Sequence, residues 1–140
     1  MDATGKSVQC VVVTPERAVL DETVDFVALP MYDGELGILP GRVPLVGRLG
    51  YGELRTRRDT DIRRFYVDGG FAQVRDNVVT VLTPHAIRAP EINTSAATEA
   101  LEKAKGLTRS PEEQMNQLKD QERARAQLAV ARRAKENPGQ

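Results

Sequence analysis

A single histidine and a single cysteine are the residues of this chain with the widest chemical scope. His85 could serve as a general base, but the residues around it, Thr83 to Ala86, include no second histidine or cysteine. A surface histidine is therefore the favoured interpretation. Cys10 lies in an apolar run and is predicted to be a small buried residue. One cysteine excludes an internal disulfide and a cysteine zinc site, so the sequence predicts neither a catalytic centre nor a metal site.

A glycine-rich segment, Asp33 to Gly41, is a candidate phosphate loop. Phosphate loops place Lys-Ser or Lys-Thr after the glycine turn, at the start of a helix. Here Arg42 to Leu45 follow instead and are typical of extended chain. We therefore predict tight turns, in which glycine permits a positive φ. The aspartates near predicted turns lack the repeated spacing of a calcium loop. They are Asp25, Asp33, Asp59, Asp61 and Asp68.

A basic stretch lies near the end of the chain. Between Lys119 and Lys135 there are six basic and two acidic residues, a net charge of +4. The residues alone leave three interpretations open: a solvated helix, a nucleic-acid binder, or a helix that docks on an acidic protein surface. The stretch has no aromatic residue for base stacking and the whole chain has a net charge of zero, which count against nucleic acid.

The elements that must position these residues change type near residue 90. All three Phe and all three Tyr lie before residue 72, whereas the chain after Pro90 is rich in Ala, Glu, Gln, Lys and Arg. This shift predicts a β domain over 1–90 and an α-helical domain over 91–140. Apolar runs separated by Gly and Pro predict eight or more short strands in an antiparallel sandwich or barrel. The runs are Val8–Thr14, Val24–Leu29, Leu36–Leu39, Leu45–Leu49, Leu54–Arg57, Ile62–Val67, Phe71–Val74 and Val78–Leu82.

Two helices are predicted after residue 92, joined by a short connection at Leu107–Arg109. Asn93 is a suitable N-cap for the first helix, and Gly106 is suited to end it. Its apolar face would hold an i, i+3, i+4, i+7 set, namely Ala97, Ala100, Leu101 and Ala104. Ser110 and Glu113 form a capping box for the second helix, which is predicted to run to about Glu136, before Pro138. The second helix is poorly amphipathic, which indicates loose docking or a partner.

Length and patterning bound the class of protein. A chain of 140 residues fits one ordinary domain, or a small domain with an appendage. Uninterrupted apolar stretches such as Cys10–Val13 reach only four residues, far short of the roughly 20 residues that span a bilayer. The polar opening, Met1–Ser7, does not resemble a signal peptide, so we expect the protein to stay where it is made.

Three segments together resemble the epsilon subunit of the F-type ATP synthase, of the bacterial and plastid type. The first runs from Val11 to Arg17 and the second, Gly34 to Leu45, reads GELGILPGRVPL. The third covers Phe65 to Val74, FYVDGGFAQV, and continues with Asn77 to Leu82, NVVTVL. The match in order and spacing is clear over about residues 8–105, and beyond that the helices match in type and position more than in letters.

The resemblance implies a ten-stranded β-sandwich followed by an antiparallel α-helical hairpin. It implies a non-catalytic subunit of the central stalk, without cofactors, lying between the γ subunit and the c-ring and coupling ion flow to rotation and ATP synthesis. The complex would place it on the cytoplasmic face of the bacterial inner membrane, as a peripheral protein without membrane insertion and without nucleic acid. The rivals are an independent β-sandwich enzyme and a free-standing sandwich module whose basic helix binds nucleic acid or an acidic protein.

Two sets of contact residues follow from the resemblance. The loop Asp33–Pro44 would meet the c-ring, through Asp33, Gly34, Glu35, Gly37 and Arg42. The second helix would reach an acidic loop of the catalytic β subunit when the hairpin extends, and this transient contact with the α and β subunits would restrain ATP hydrolysis. Its predicted contact residues are Arg123, Arg125, Arg132 and Arg133.

The chain departs from the family pattern at two motifs, and the middle of the sandwich is also more basic than expected, at Arg55 to Arg58 and at Arg63-Arg64. Some bacterial relatives bind ATP through an Ile/Leu-Asp-x-x-Arg-Ala motif, where this chain has Ile92, Asn93 and, in place of the arginine, Ala96. The carboxylate and the guanidinium are both missing, so we expect no ATP site. The family's Pro-Gly-His is Pro-Gly-Arg here, which puts the positive charge of Arg42 into the loop expected at the c-ring.

Overall fold

A computed structural model describes residues 7–106 and 110–137 of the chain. The predicted helix connection at 107–109, the Pro138 stop and all of the opening segment except Ser7 lie outside the described residues. The elements, in chain order, are β1 (Val8–Val13), β2 (Ala18–Val24), β3 (Phe26–Met31), β4 (Gly34–Ile38), β5 (Leu45–Arg58), β6 (Asp61–Arg75), β7 (Val78–Leu82), β8 (Ala86–Arg88), a 3₁₀ turn (Ala89–Glu91), α1 (Thr94–Lys103) and α2 (Pro111–Glu136).

Seven of the eight strands of the β-sandwich form one continuous hydrogen-bonded path. Its order is β2-β1-β7-β6-β5-β3-β4, and β8 pairs with β6 off this path. The pairs are antiparallel except for β1 with β7, which run parallel, so the expectation of a purely antiparallel arrangement is wrong at that pair. The two outer strands of the path are β2 and β4, and β4 carries most of the residues predicted to contact the c-ring.

The count of ten strands is wrong for the described residues, which contain eight. The long strands β5 and β6 have 14 and 15 residues and run through glycines that were predicted to separate shorter strands. Strands in globular proteins average about 5–6 residues, so each of these long strands replaces two strands of ordinary length. At the corner of β6, Gly70 has a φ of +106° and a side chain there would press on the carbonyl oxygen of Leu82. Glycine therefore bends these strands instead of ending them.

Two strands were missed in the sequence. In β2, Asp21, Glu22 and Thr23 sit in a polar stretch, because an edge strand needs only one buried face and here buries Leu20 and Val24. The other missed strand, β8, has three residues and is too short to show a period. It pairs with β6 through Ala86, Ile87 and Arg88.

The main core lies entirely within the sandwich. It is built from alternate residues of the strands and is filled by valine, leucine, isoleucine and one phenylalanine, together with Cys10 and Ala72. All members lie between Val8 and Ala86, and the helices contribute no side chain to this core. The packing of the sandwich interior therefore does not depend on residues 91–137.

Both helices begin where the sequence predicted. The Asn93 side chain accepts a hydrogen bond of 2.9 Å from the backbone N–H of Ala96, and the Ser110 hydroxyl accepts one of 3.2 Å from the N–H of Glu113. Each bond satisfies one of the unpaired donors at a helix start. On the face predicted for α1, Ala97 and Ala104 are buried and Leu101 is partly buried, whereas Ala100 is exposed.

Candidate functional site

The residues predicted for the c-ring contact gather around edge strand β4. Asp33 lies in the turn before it, and Gly34, Glu35 and Gly37 are on it. The Glu35 carboxylate is half exposed and lies 3.4 Å from the guanidinium of Arg55 in β5. Arg42 is exposed in the loop that follows β4. That loop is tied to the sheet, since the N–H of Gly41 donates a 2.7 Å hydrogen bond to the Asn77 side chain.

Exposed apolar side chains surround this edge and were missed by the sequence reasoning. Val43 and Val46 are 72% and 75% exposed, and Tyr32 and Leu39 are also exposed. Tyr32, Val46 and Arg48 line one shallow groove with Glu35, and the Arg48 guanidinium lies 4.5 Å above the Tyr32 ring. Grouped exposed apolar side chains beside charged ones are typical of a protein contact surface. No local pattern of residues indicates this exposure, because valine and tyrosine are equally common in the interior of a sheet.

The second candidate site is the interface between the sandwich and α2. Its apolar part is a separate small cluster in which Tyr66, Ala89 and Ile92 pack against Val130 and Ala131 of α2. Tyr66 is 1% exposed. Its partly buried neighbours are Tyr51, Ile87, Ala126 and Ala134. The sandwich supplies the large side chains and the helix supplies mainly alanines, which lets the helix backbone come close to the sheet.

One end of this interface holds a charged group of Asp68, Arg123 and two tyrosines. The Arg123 Nε lies 3.1 Å from Asp68 Oδ1, and its guanidinium lies 4.9 Å above the Tyr51 ring. Tyr66 donates a 2.7 Å hydrogen bond to the same carboxylate oxygen. Burial, and then the hydrogen bond to Asp68, raise the pKa of the Tyr66 hydroxyl above its usual value. Burial alone would lower the pKa of Arg123, but Asp68, Tyr51 and Tyr66 together outweigh it, so the pKa is raised.

The other end holds a buried carboxylate, Glu53, whose side chain is 2% exposed. Guanidinium nitrogens surround it: Arg55 at 3.0 Å, Arg64 at 3.5 Å and Arg133 of α2 at 3.5 Å. Arg64 also donates a 2.7 Å hydrogen bond to the backbone carbonyl of Asn137, just past the end of α2. A buried charge is tolerated when it is paired in this way. Glu53 was not singled out in the sequence, because Glu53, Arg55 and Arg57 alternate with two less polar residues in the pattern of a half-exposed strand.

The four predicted arginines of α2 are divided by the structure into two pairs. Arg123 and Arg133 point to the sandwich, where Asp68 and Glu53 meet them. Arg125 and Arg132 are exposed, and Arg132 has a weak i, i+4 contact of 3.8 Å with Glu136. The docking face of α2 is carried mainly by alanines, and the arginines at its two ends are paired with carboxylates of the sandwich.

The remaining candidates stay isolated. His85 is exposed after β7, and its backbone carbonyl, not its ring, accepts hydrogen bonds from the Asp68 N–H and the Thr83 hydroxyl. Cys10 is fully buried, and burial raises the pKa of its thiol to about 12. Within 7–106 and 110–137, no group of three or more His, Cys, Asp or Glu is placed to hold a metal ion. Over the same residues, none of the helices has the length and apolar character required to cross a membrane.

The positions of the family's ATP motif are used differently here. The Asn93 side chain is committed to capping α1. Ala96 is exposed and lines a groove between the two helices with Ala100, Lys103 and Arg123. Arg123 is already paired with Asp68. The described groove thus offers one lysine and one committed arginine to an anion.

Comparison with known proteins gives the same picture of fold and family. Residues 7–89 match the family model described as "ATP synthase, Delta/Epsilon chain, beta-sandwich domain". An ATP synthase epsilon chain from Rhodopirellula baltica is 52% identical over 128 residues, which cover 90% of this chain and 99% of that protein.

Two solved structures share the fold at lower identity. One comes from the mitochondrial ATP synthase of Euglena gracilis, in a complex described as OSCP/F1/c-ring, with a TM-score of 0.70, 24% identity, and coverage of 94% of this chain and 81% of that one. The other comes from the central stalk and c-ring of the Tetrahymena thermophila mitochondrial enzyme, with a TM-score of 0.68, 14% identity, and coverage of 89% and 96%. Both likenesses include the helices as well as the sandwich.

Proposed function

The chain belongs to the ATP synthase epsilon-chain family, and from this premise we propose that it is a non-catalytic rotor subunit of the central stalk. In that role it couples ion translocation through the c-ring to rotation and ATP synthesis. The observation that carries the proposal is the 52% identity to an epsilon chain over 99% of that protein's length. The structures of this fold named above, taken from an F1/c-ring complex and from a central stalk with its c-ring, support the same placement.

We infer that the β4 edge is the surface that meets the c-ring. Glu35 and Arg42 bring opposite charges to a surface that also exposes Tyr32, Val43 and Val46. Charges at the rim of a contact set register and association rate, whereas apolar side chains supply burial. The γ subunit is the other proposed permanent partner, and the complex would hold the protein at the cytoplasmic face of a bacterial membrane.

The second proposed role is regulation by residues 91–140. The exposed Arg125 and Arg132 of α2 can contact an acidic surface of the catalytic subunits without further change, whereas Arg123 and Arg133 are engaged by the sandwich. Nucleic-acid binding is not favoured, because α2 as a whole has five acidic residues against six basic ones and is close to neutral. An acidic protein surface remains the partner that suits the exposed pair.

Replacing Glu35 and Arg42 together with glutamine tests the ring contact. Membrane vesicles carrying this variant should hydrolyse ATP at the normal rate but pump fewer ions per ATP, because a loosened contact uncouples the two. Glu16→Gln with Arg17→Gln is a matched control, since it also removes one negative and one positive charge and both side chains are exposed outside β4 and its following loop. Coupling equal to that of the control would refute the assignment of this surface.

Removal of residues 91–140 tests the regulatory role. The assembled complex should keep the truncated subunit, because the sandwich core contains no helix residue, and its ATPase activity should rise. An unchanged ATPase activity at low salt would refute the inhibitory role and leave Arg125 and Arg132 as solvated side chains.

Isothermal titration tests the absence of an ATP site in the isolated chain. Since Asn93 is a helix cap and Ala96 carries no charge, we expect no binding in the micromolar range. A micromolar affinity would contradict this and would direct attention to Lys103 and Arg123 in the groove between the helices.

A further inference from the structure

We propose that Glu53 and Asp68 of the sandwich act as an internal competitor for Arg133 and Arg123, restraining α2 by occupying two of its four arginines. Because Arg123 and Arg133 are already paired with the sandwich, an external acidic partner has two ways to bind α2. It must either contact the exposed Arg125 and Arg132, or displace the two sandwich carboxylates.

The restraint depends on charge because the apolar contact is small. The helix contributes Val130 and alanines, so little apolar area leaves water when α2 docks. The charged contacts flank this apolar centre at both ends, with Asp68 and Arg123 on one side and Glu53 and Arg133 on the other. Partly buried ion pairs are screened less by water and salt than exposed ones. They can therefore determine whether α2 docks on the sandwich when the alanine contacts alone stabilise docking only weakly.

The spacing of the helix residues shows that the pairing belongs to one face. Arg123, Ala126, Val130 and Arg133 follow the i, i+3, i+7, i+10 spacing of a single helical stripe. Arg125 and Arg132, seven residues apart, share a stripe on the other side. The helix therefore carries two separate arginine pairs, an inward pair for the sandwich and an outward pair for solvent or a partner.

The sandwich can also survive the departure of the helix. Glu53 would keep Arg55 and Arg64, and Asp68 would keep the Tyr66 hydroxyl, so neither carboxylate loses all of its partners. A buried charge that lost every partner would make undocking very costly. Retained partners lower that cost, which suits a reversible contact.

Hydrogen exchange in the isolated full-length chain tests the inference. Amides of α2 around residues 124–134 report on docking, and amides of β7 report on the sandwich core. Glu53→Gln with Asp68→Asn should speed exchange in α2 by about tenfold, as expected for the loss of two partly buried pairs, and leave β7 unchanged. The control, Glu16→Gln with Asp76→Asn, makes the same change of charge at exposed positions away from α2 and should leave both regions unchanged.

The reverse variant keeps the proposal testable if the buried Glu53 is needed for folding. Arg123→Gln with Arg133→Gln leaves the sandwich residues intact and should speed α2 exchange to the same extent, whereas Arg125→Gln with Arg132→Gln should not. If the inward and outward arginine variants have equal effects, or if neither differs from the control, the inference is wrong. If β7 exchange also rises in Glu53→Gln with Asp68→Asn, that variant has disturbed the sandwich core. The two arginine variants then provide the test of the inference.

The expected effect on ATP hydrolysis rests on the proposed function. Measuring ATPase activity and α2 exchange together distinguishes the restraint of α2 from its inhibitory role. In the assembled complex, Glu53→Gln with Asp68→Asn should deepen inhibition, because it frees two arginines for the catalytic subunits. Faster α2 exchange with unchanged ATPase activity would support the internal competitor and refute the inhibitory role. Unchanged α2 exchange would refute the competitor whatever the ATPase activity.

Discussion

Replacing Val130 with alanine should loosen α2 from the sandwich without weakening the sandwich itself. Val130 is 1% exposed, packs in the cluster with Tyr66 and Ile92, and is the largest apolar side chain that α2 buries there. The change removes two carbon groups at about 0.8 kcal/mol each, so docking should lose about 1.6 kcal/mol. Since about 1.4 kcal/mol corresponds to a factor of ten, the undocked fraction should rise about 15-fold.

Hydrogen exchange of the α2 amides near Val130 measures this change directly. The rate should rise by about the same factor wherever undocking precedes exchange. Leu118→Ala is the control, because Leu118 lies on the same helix, is 59% exposed and loses an even larger side chain. Exchange in β7 should stay constant in both variants, since the main core contains no helix residue.

Two results would refute this reasoning. If Leu118→Ala speeds α2 exchange as much as Val130→Ala does, then burial of Val130 against the sandwich does not set the exchange rate. If β7 exchange rises together with α2 exchange, the sandwich and the hairpin unfold as one unit. The two apolar clusters would then not be independently stable.

Three further predictions concern the fold. Gly70→Ala should lower the melting temperature more than Gly41→Ala, because both have a positive φ but only a Cβ at Gly70 would press on a carbonyl. Burial raises the pKa of Cys10 from 9.0 to about 12. The part of the free energy of unfolding that depends on the protonated Cys10 thiol is therefore fully present below pH 9 and is lost between about pH 9 and 12. Cys10→Ala should flatten that part of a urea-midpoint profile against pH. Asn93→Ala should cost α1 about 1 kcal/mol, seen as faster exchange of its first turn.

Signals that lie within a few neighbouring residues predicted the structure best. The caps of both helices depend on residues three apart, so Asn93 and Ser110 were found directly. The strand count failed because a glycine in an extended run is equally consistent with a turn and with a bend, and only the partner strand distinguishes them. Pairing of β5 with β6 continues past both glycine corners, which makes each of them one strand.

The interface of α2 depends on residues that are distant in sequence. Arg133 and Glu53 are separated by 80 positions, and neither has a neighbour in sequence that identifies the other. The basic character of α2 was evident, but which arginines face inward depends on the position of two carboxylates on the sandwich. Similarly, the exposure of Val46 depends on which face of β5 it occupies, and Val43 is exposed because it lies in the loop before β5.

Purification of the tagged full-length protein from detergent-extracted membranes of its own cells determines whether this chain is a rotor subunit. Quantitative mass spectrometry should find the γ, α, β and c subunits with it in constant proportion, and the sandwich alone, residues 1–90, should recover the same set. Recovery of the chain by itself, or with nucleic acid and without γ, would contradict the assignment.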